Sequence, residues 1–266
     1  MMCADIKFQM GTAMSNWVRQ LQNIRDQPLI AGLVARASWI EPMTLSTIIL
    51  AASLLFAFAT LANAVALGST HAFDEWLIIA LRTPGNLADP IGPKWIEEMM
   101  RDFTALGSTG VLTLTVLAIA GFLAMTHKGY AALFVLASVA GGVLISRAMK
   151  WAYARPRPDL VSHGAEVFTA SFPSGHSMMA AVVYLTLGAL LARTQVGRRV
   201  KIYVLAVAVL LTMLVGVSRV YLGVHWPSDV LAGWALGGMW ALICLLVMGW
   251  LQARGTVKDA SAGDAA

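Results

Sequence analysis

The sequence predicts an all-α, polytopic membrane protein with six transmembrane helices and short amphipathic helices on the outer face. Three observations carry this expectation. The 266-residue chain is 58% hydrophobic and only 12% charged. Its mean hydropathy is +0.71. Six uncharged runs approach or exceed the roughly 20 residues that cross a bilayer. The net charge of +5 and pI near 9.5 would otherwise suggest nucleic acid. The basic residues are scattered among apolar runs, with no basic tract and no interleaved aromatics. Membrane orientation accounts for them, membrane lipids are the expected surroundings, and no nucleic-acid partner is expected.

Residues 1–42 form a polar N-terminal segment. Met10, Met14, Trp17, Leu21 and Ile24 make an apolar stripe at helical spacing that Pro28 would end. An interfacial helix on an anionic leaflet is one reading and a loosely ordered tail the other. No basic n-region runs at once into an apolar core and cleavage site, so the first span is expected to serve as the insertion signal. That span is Pro42–Thr70. In the polar interval His71–Asp102, Phe73, Trp76, Leu77, Ala80 and Leu81 predict a short amphipathic helix broken by Pro84-Gly85. A second short piece lies around Trp95 and Met99, after Pro93. The remaining uncharged runs are Phe103–Thr126, Gly129–Ser146, Ser177–Ala192, Ile202–Ser218 and Val230–Ala253. Two of these have only 16 or 17 residues, so adjoining residues must lengthen them. Residues 43–253 thus read as one six-helix membrane domain and 254–266 as a disordered polar tail. Cys3 and Cys244 lie in separate segments, so neither a disulfide nor a cysteine metal site is expected.

Orientation follows from the basic residues of short loops. Arg193, Arg198, Arg199 and Lys201 occupy one loop without an acid, which should be cytoplasmic. Six spans then put both termini inside and residues 71–102, 147–176 and 219–229 outside. The outer face carries Arg147, Lys150, Arg155 and Arg157 within eleven residues. Cations that oppose the topology rule need another reason, and a bound anion supplies one.

Span alternation gathers the polar residues. Lys150 and Arg157 follow span three. Ala170-Ser171-Phe172-Pro173-Ser174-Gly175-His176-Ser177 opens span four, with Ser174 placed to cap the helix and its N-terminus able to hold an anion. Ser218-Arg219 ends span five, and His225-Trp226-Pro227-Ser228-Asp229 leads into span six. Pro227 would be the first helical residue and Asp229 the third. All these ends meet on one face. Three fixed cations, two histidines, a carboxylate and two helix N-termini suit phosphoryl transfer: cations and N–H groups hold phosphate oxygens, one histidine attacks and the other protonates the leaving oxygen. Each residue also has a plainer reading. Asp229 would then only cap a helix, Arg147, Lys150 and Arg219 would reach for headgroups, His176 would face headgroups from a capped helix, and His225 would be a packed loop residue.

These residues resemble the type 2 phosphatidic acid phosphatase superfamily. Its Lys-x6-Arg-Pro, Pro-Ser-Gly-His and Ser-Arg-x5-His-x3-Asp patterns match Lys150…Arg157-Pro158, Pro173-Ser174-Gly175-His176 and Ser218-Arg219…His225…Asp229 at every position. Arg155-Pro156 is an extra Arg-Pro in a shifted register. The resemblance implies that residues 43–253 are a membrane phosphatase domain acting on a lipid phosphate. Undecaprenyl diphosphate, phosphatidylglycerophosphate and phosphatidate are the leading substrates. It further implies His225 as nucleophile through a phosphohistidine, Asp229 as its orienting partner, and His176 as general acid and then base. Lys150, Arg157, Ser174, Gly175 and Arg219 would hold the phosphate, with no metal and no other cofactor. The implied location is a bacterial inner or plasma membrane, with the site on the periplasmic or extracellular face.

Three other readings compete. A serine hydrolase would use Ser174, a histidine and Asp229, but lacks a Gly-x-Ser-x-Gly elbow and leaves the cations without a role. A metallophosphatase would use His163, His176, His225 and Asp229, without the dense carboxylate set such sites contain. A non-catalytic lipid-binding or transport protein would bind lipid and release no phosphate.

Overall fold

The computed structural model describes residues 42–160 and 170–254. The N-terminal stripe, Cys3, His163 and the tail beyond Arg254 lie outside the described residues. Backbone packing separates Met1–Thr47 from Ile48–Ala266. The packing contacts and the site described below all involve residues of the second unit.

The described residues form eight helices and one hairpin: α1 (Pro42–Ala66), α2 (His71–Ala80), β1 (Arg82–Thr83), β2 (Asn86–Pro90), α3 (Lys94–Leu106), α4 (Thr109–Met125), α5 (Gly129–Tyr153), α6 (Gly175–Thr194), α7 (Arg198–Tyr221) and α8 (Pro227–Ala253). Helices α1 and α5–α8 are each long and apolar enough to cross a membrane. A sixth span results when α3 and α4, bent by 47° at a short break, are taken together. The protein is an all-α polytopic membrane protein. Leu114, Leu117, Leu144, Ile202, Tyr203 and Leu210 are all more than half exposed, as side chains facing lipid would be.

Several boundaries differ from the sequence expectation, for physical reasons. The uncharged-run rule stops a span at its first cation, whereas α5 continues past Arg147 and Lys150 to Tyr153 and α7 runs from Arg198 to Tyr221. Span two, read as Phe103–Thr126, breaks at Gly107-Ser108; Ser108 caps α4 by accepting from the Val111 N–H at 3.3 Å. The first span ends at Ala66, before a turn that leads into α2. Pro84-Gly85 does more than end a helix. It is the two-residue loop of an antiparallel hairpin pairing Thr83 with Asn86, and Gly85 adopts φ +83°, which suits glycine.

Helix α6 sits at the centre, packed against α4, α5, α7 and α8. Its contact with α8 is close because glycines line it. A Cβ at Gly237 would lie 2.5 Å from the Met178 carbonyl oxygen, and one at Gly233 would lie 2.8 Å from that of Ser174. Between apolar helices in lipid, such backbone approach supplies the packing that holds them together. Leu112, Val116, Val135 and Val183 join α4, α5 and α6. Phe58 and Ala62 of α1 meet Phe172 and the α8 face Ala232–Met239. The short elements between the spans are docked, not dangling. Ile78 of α2 is buried against Val220, Trp226 and Val230, while Ile96 and Met100 of α3 cover Tyr221, Leu222 and Val224.

Candidate active site

A cavity of about 350 Å³ lies where the C-terminal ends of α5 and α7 meet the N-terminal ends of α6 and α8. Lys150, Arg157, Gly175, His176, Arg219 and His225 line it, together with Ser146 and Arg147. Six of the eight expected site residues therefore share one space. Ser174 and Asp229 are buried beside it and behind it.

Each cation has a specific seat. Lys150 Nζ donates to the Ala170 carbonyl at 2.5 Å, fixing its head over the loop before α6. Arg157 donates from Nη1 to the Val224 carbonyl at 2.7 Å and to His225 Nε2 at 3.1 Å. Burial lowers the pKa of this guanidinium, with Asp229 opposing the shift. Arg219 donates to Thr104 Oγ1 of α3 at 2.9 Å, and its buried Nε has no partner among the described residues. A buried, unpaired N–H beside a cavity is a donor without its acceptor, and a phosphate oxygen would supply one.

The ring of His225 is almost fully buried. Arginine has no acceptor, so the Arg157 contact requires an unprotonated Nε2. The ring proton then sits on Nδ1, which faces Asp229 Oδ2 at 3.4 Å and Ser171 Oγ at 3.3 Å. Burial pushes the His225 pKa down to about 3; the bond to and charge of Asp229 oppose this, while Arg157 and Arg219 reinforce it. A neutral ring with an unprotonated Nε2 is the form a nucleophile needs.

Asp229 is the third residue of α8, as expected from Pro227 at the first position. It both caps and orients. Its Oδ2 accepts from the Trp226 N–H at 3.1 Å, from Ser171 Oγ and from His225. Ser174 differs from expectation. It holds the N-cap position, yet its hydroxyl bonds no first-turn amide and instead accepts from Ser177 Oγ at 3.0 Å. Its N–H donates to the Asp229 carbonyl at 3.0 Å, tying the α6 loop to the start of α8. The hydroxyl is buried and pairs with Ser177 and not with a histidine, which removes support from the serine-hydrolase reading. Among the described residues, no group of three or more His, Cys, Asp or Glu is arranged to hold a metal ion; His163, one of the four residues of the metallophosphatase reading, lies outside them.

Sequence reasoning missed Asp74, Ser171, Ser228 and Thr104, and set Arg155 aside. Arg155 bridges Asp74 and Asp229 at 2.8 and 2.6 Å. Asp74 sits on a helix whose pattern reads as surface, so only the fold reveals that it is completely buried.

Fold and site together define a membrane-embedded phosphoryl-transfer protein, and comparison with known proteins agrees. The PAP2 superfamily model matches residues 131–253. The chain is 32% identical to phosphatidylglycerophosphatase B of Bacillus subtilis, over 74% of this chain and 93% of that one. It is also 32% identical to a lipid A 1-phosphatase of Rhizobium etli, over 43% of this chain and 49% of that one. The crystal structure of a transmembrane PAP2-type phosphatidylglycerolphosphate phosphatase from Bacillus subtilis superposes with a TM-score of 0.67 at 31% identity, covering 76% of this chain and 96% of that one. The chain belongs to the PAP2 superfamily. It is a phosphatase of that superfamily's membrane lipid phosphatase branch.

Proposed function

We propose that this protein removes a terminal phosphate from a lipid phosphate or diphosphate at the outer face of the membrane, through a phosphohistidine on His225 and without a metal. The observation that carries this reading is the His225 ring, whose unprotonated Nε2 faces a cavity with three fixed cations while Nδ1–H points to Asp229. Lys150, Arg157 and Arg219 hold the phosphate oxygens, with the Ser174-Gly175 turn beside them. Nε2 attacks phosphorus as the P–O bond to the lipid breaks, and His176 gives its proton to the departing oxygen. His176 then takes a proton from water, which attacks phosphorus, releases inorganic phosphate and restores His225. Arg157 must leave Nε2 for the phosphate before attack, so substrate uncovers the nucleophile.

Coverage of phosphatidylglycerophosphatase B across 93% of its length favours phosphatidylglycerophosphate among the three candidate lipids. Arg147 supports a substrate with a second phosphate. It lines the cavity three residues before Lys150 on α5, about 4.5 Å farther toward the membrane core. The test is phosphate release in detergent from phosphatidylglycerophosphate, undecaprenyl diphosphate and phosphatidate, with and without EDTA. Turnover should survive chelation, vanadate should inhibit, and Arg147→Gln should raise KM for the two-phosphate lipids about fivefold more than for phosphatidate. Loss of turnover in EDTA with recovery on a divalent ion would overturn the metal-free mechanism.

The outer location rests on the basic 193–201 loop being cytoplasmic. With Cys3 and Cys244 replaced, single cysteines in 71–102 should react with an impermeant reagent in intact cells and those in 193–201 should not. The opposite pattern reverses the orientation.

A further inference from the structure

The extra Arg-Pro of the chain, Arg155-Pro156, has no place in the phosphate-binding set, and Arg155 does not line the cavity. It lies instead at the centre of a buried network behind the nucleophile. We propose that Arg155 and Asp74 are positioning residues: together they lock the Asp229 carboxylate in the rotation that orients His225. This inference rests on the phosphohistidine reading above.

The two oxygens of Asp229 have separate duties. Oδ2 faces His225 Nδ1, Ser171 Oγ and the Trp226 N–H. Oδ1 accepts from Arg155 Nη1 at 2.6 Å. Rotation of the carboxylate would break the Arg155 bond, so the guanidinium holds Oδ2 on the histidine. Arg155 is itself fixed from α2. Its Nη2 donates to Asp74 Oδ2 at 2.8 Å and Nη1 to Ser228 Oγ at 2.8 Å. Asp74 Oδ1 accepts from the Ser228 N–H at 2.9 Å, and Oδ2 accepts from Ser228 Oγ at 2.6 Å. Both oxygens of Asp74 are thus satisfied by the start of α8, the same turn that carries Asp229. The Trp226 ring lies 5.5 Å from the guanidinium carbon, and its indole N–H donates to the Pro156 carbonyl at 3.1 Å.

The charges reinforce the geometry. Asp74 and Asp229 are fully buried, and two buried carboxylates sharing one guanidinium keep a net negative charge behind His225. That charge favours the imidazolium-like ring which forms as Nε2 bonds to phosphorus. Without Arg155 the two carboxylates would lose the cation they share, and Asp229 Oδ1 would lose the bond that fixes its rotation. A rotated Asp229 no longer accepts strongly from Nδ1–H. The loss should therefore appear in kcat, since none of the phosphate-holding cations has moved.

The test compares Arg155→Gln, Arg155→Lys, Asp74→Asn and the Arg155→Gln/Asp74→Asn pair in the full-length protein, with thermal unfolding in detergent to confirm folding. Arg155→Gln should slow kcat and phosphoenzyme formation about 10–100-fold, the usual range for a partner behind a functional histidine. KM and competitive inhibition by inorganic phosphate should stay within about twofold. Arg155→Lys should recover part of the loss, and the double variant should lose no more than Arg155→Gln alone, because both residues act through one carboxylate. Wild-type kcat in a folded Arg155→Gln protein would overturn the proposal. So would equal losses in kcat and in inorganic-phosphate affinity that lysine does not rescue. If Arg155→Gln fails to fold, the same division between kcat and KM in Asp74→Asn decides. His225→Ala serves as the separate control: phosphoenzyme in that variant would sink the phosphohistidine reading itself, whatever Arg155 does.

Discussion

Alanine at His225 is expected to abolish phosphoenzyme formation, while alanine at His176 is expected to leave it intact on a substrate that needs no acid. The difference follows from where the two rings sit. His225 presents an electron pair to the cavity from a buried ring held by Asp229 and Arg157. His176 lies in the first turn of α6, half-buried, against the same space. Its loss should slow cleavage of an alkyl phosphate by about 10²–10⁴, the range for one acid–base group. An aryl phosphate, whose phenolate leaves without a proton, should suffer much less in the first step. Acid-quench trapping of labelled phosphoenzyme in both variants, on both substrates, reads the result. Trapped phosphoenzyme in His225→Ala and none in His176→Ala on the aryl substrate would reverse the two roles.

The second large effect is structural in origin and should appear as lost catalysis. A Cβ at Gly233 would sit 2.8 Å from the Ser174 carbonyl oxygen and 3.1 Å from the Met178 nitrogen. Both are backbone atoms of the turn and helix that carry His176, so no side chain can swing aside. Helix α8 must back away from α6, drawing Asp229 with it and straining the Ser174–Asp229 backbone bond. Gly233→Ala should cost about 1–3 kcal/mol of stability through overpacking and, by misaligning the two histidines, about 10²-fold in kcat. Gly121→Ala is the comparison, since a Cβ there meets nothing within 4 Å. Thermal unfolding in detergent and kcat on one lipid substrate decide the matter. A Gly233→Ala enzyme as active and stable as Gly121→Ala would show that the α6–α8 contact is not the constraint described.

Much of the site was legible because its residues are short-range and ordered: three motifs, each at the end of a hydrophobic run, meet through alternation of spans alone. The cavity accordingly contains Lys150, Arg157, Gly175, His176, Arg219 and His225. Of the two neighbouring arginines, Arg157 lines the cavity and contacts Nε2, while Arg155 points to Asp74 and Asp229. What escaped was whatever depends on distant partners. Asp74 joins Arg155 across 81 positions of sequence, and no local pattern distinguishes it from a solvated acid on an amphipathic helix. The hairpin escaped for another reason: Pro-Gly breaks a helix and turns a strand equally well, and the two flanking strands are too short to show alternation. Span ends were misjudged wherever a helix carries its own cations into the site, as α5 does with Arg147 and Lys150.

The cavity does not end at the polar residues. It continues between α4, α5 and α6 along Leu112, Val139, Val143 and Met179, and reaches the outer surface of the helices at Thr113 and Arg147, which are exposed. From Lys150 to Val139 the α5 wall alone descends about 16 Å at the helical rise. A lipid can therefore keep its tails among its neighbours while its phosphate enters from the side. Encounter becomes a search within a sheet of molecules, and the concentration that governs the rate is the substrate's mole fraction in that leaflet. Adding inert lipid thins the supply even when the amount per litre of buffer stays the same.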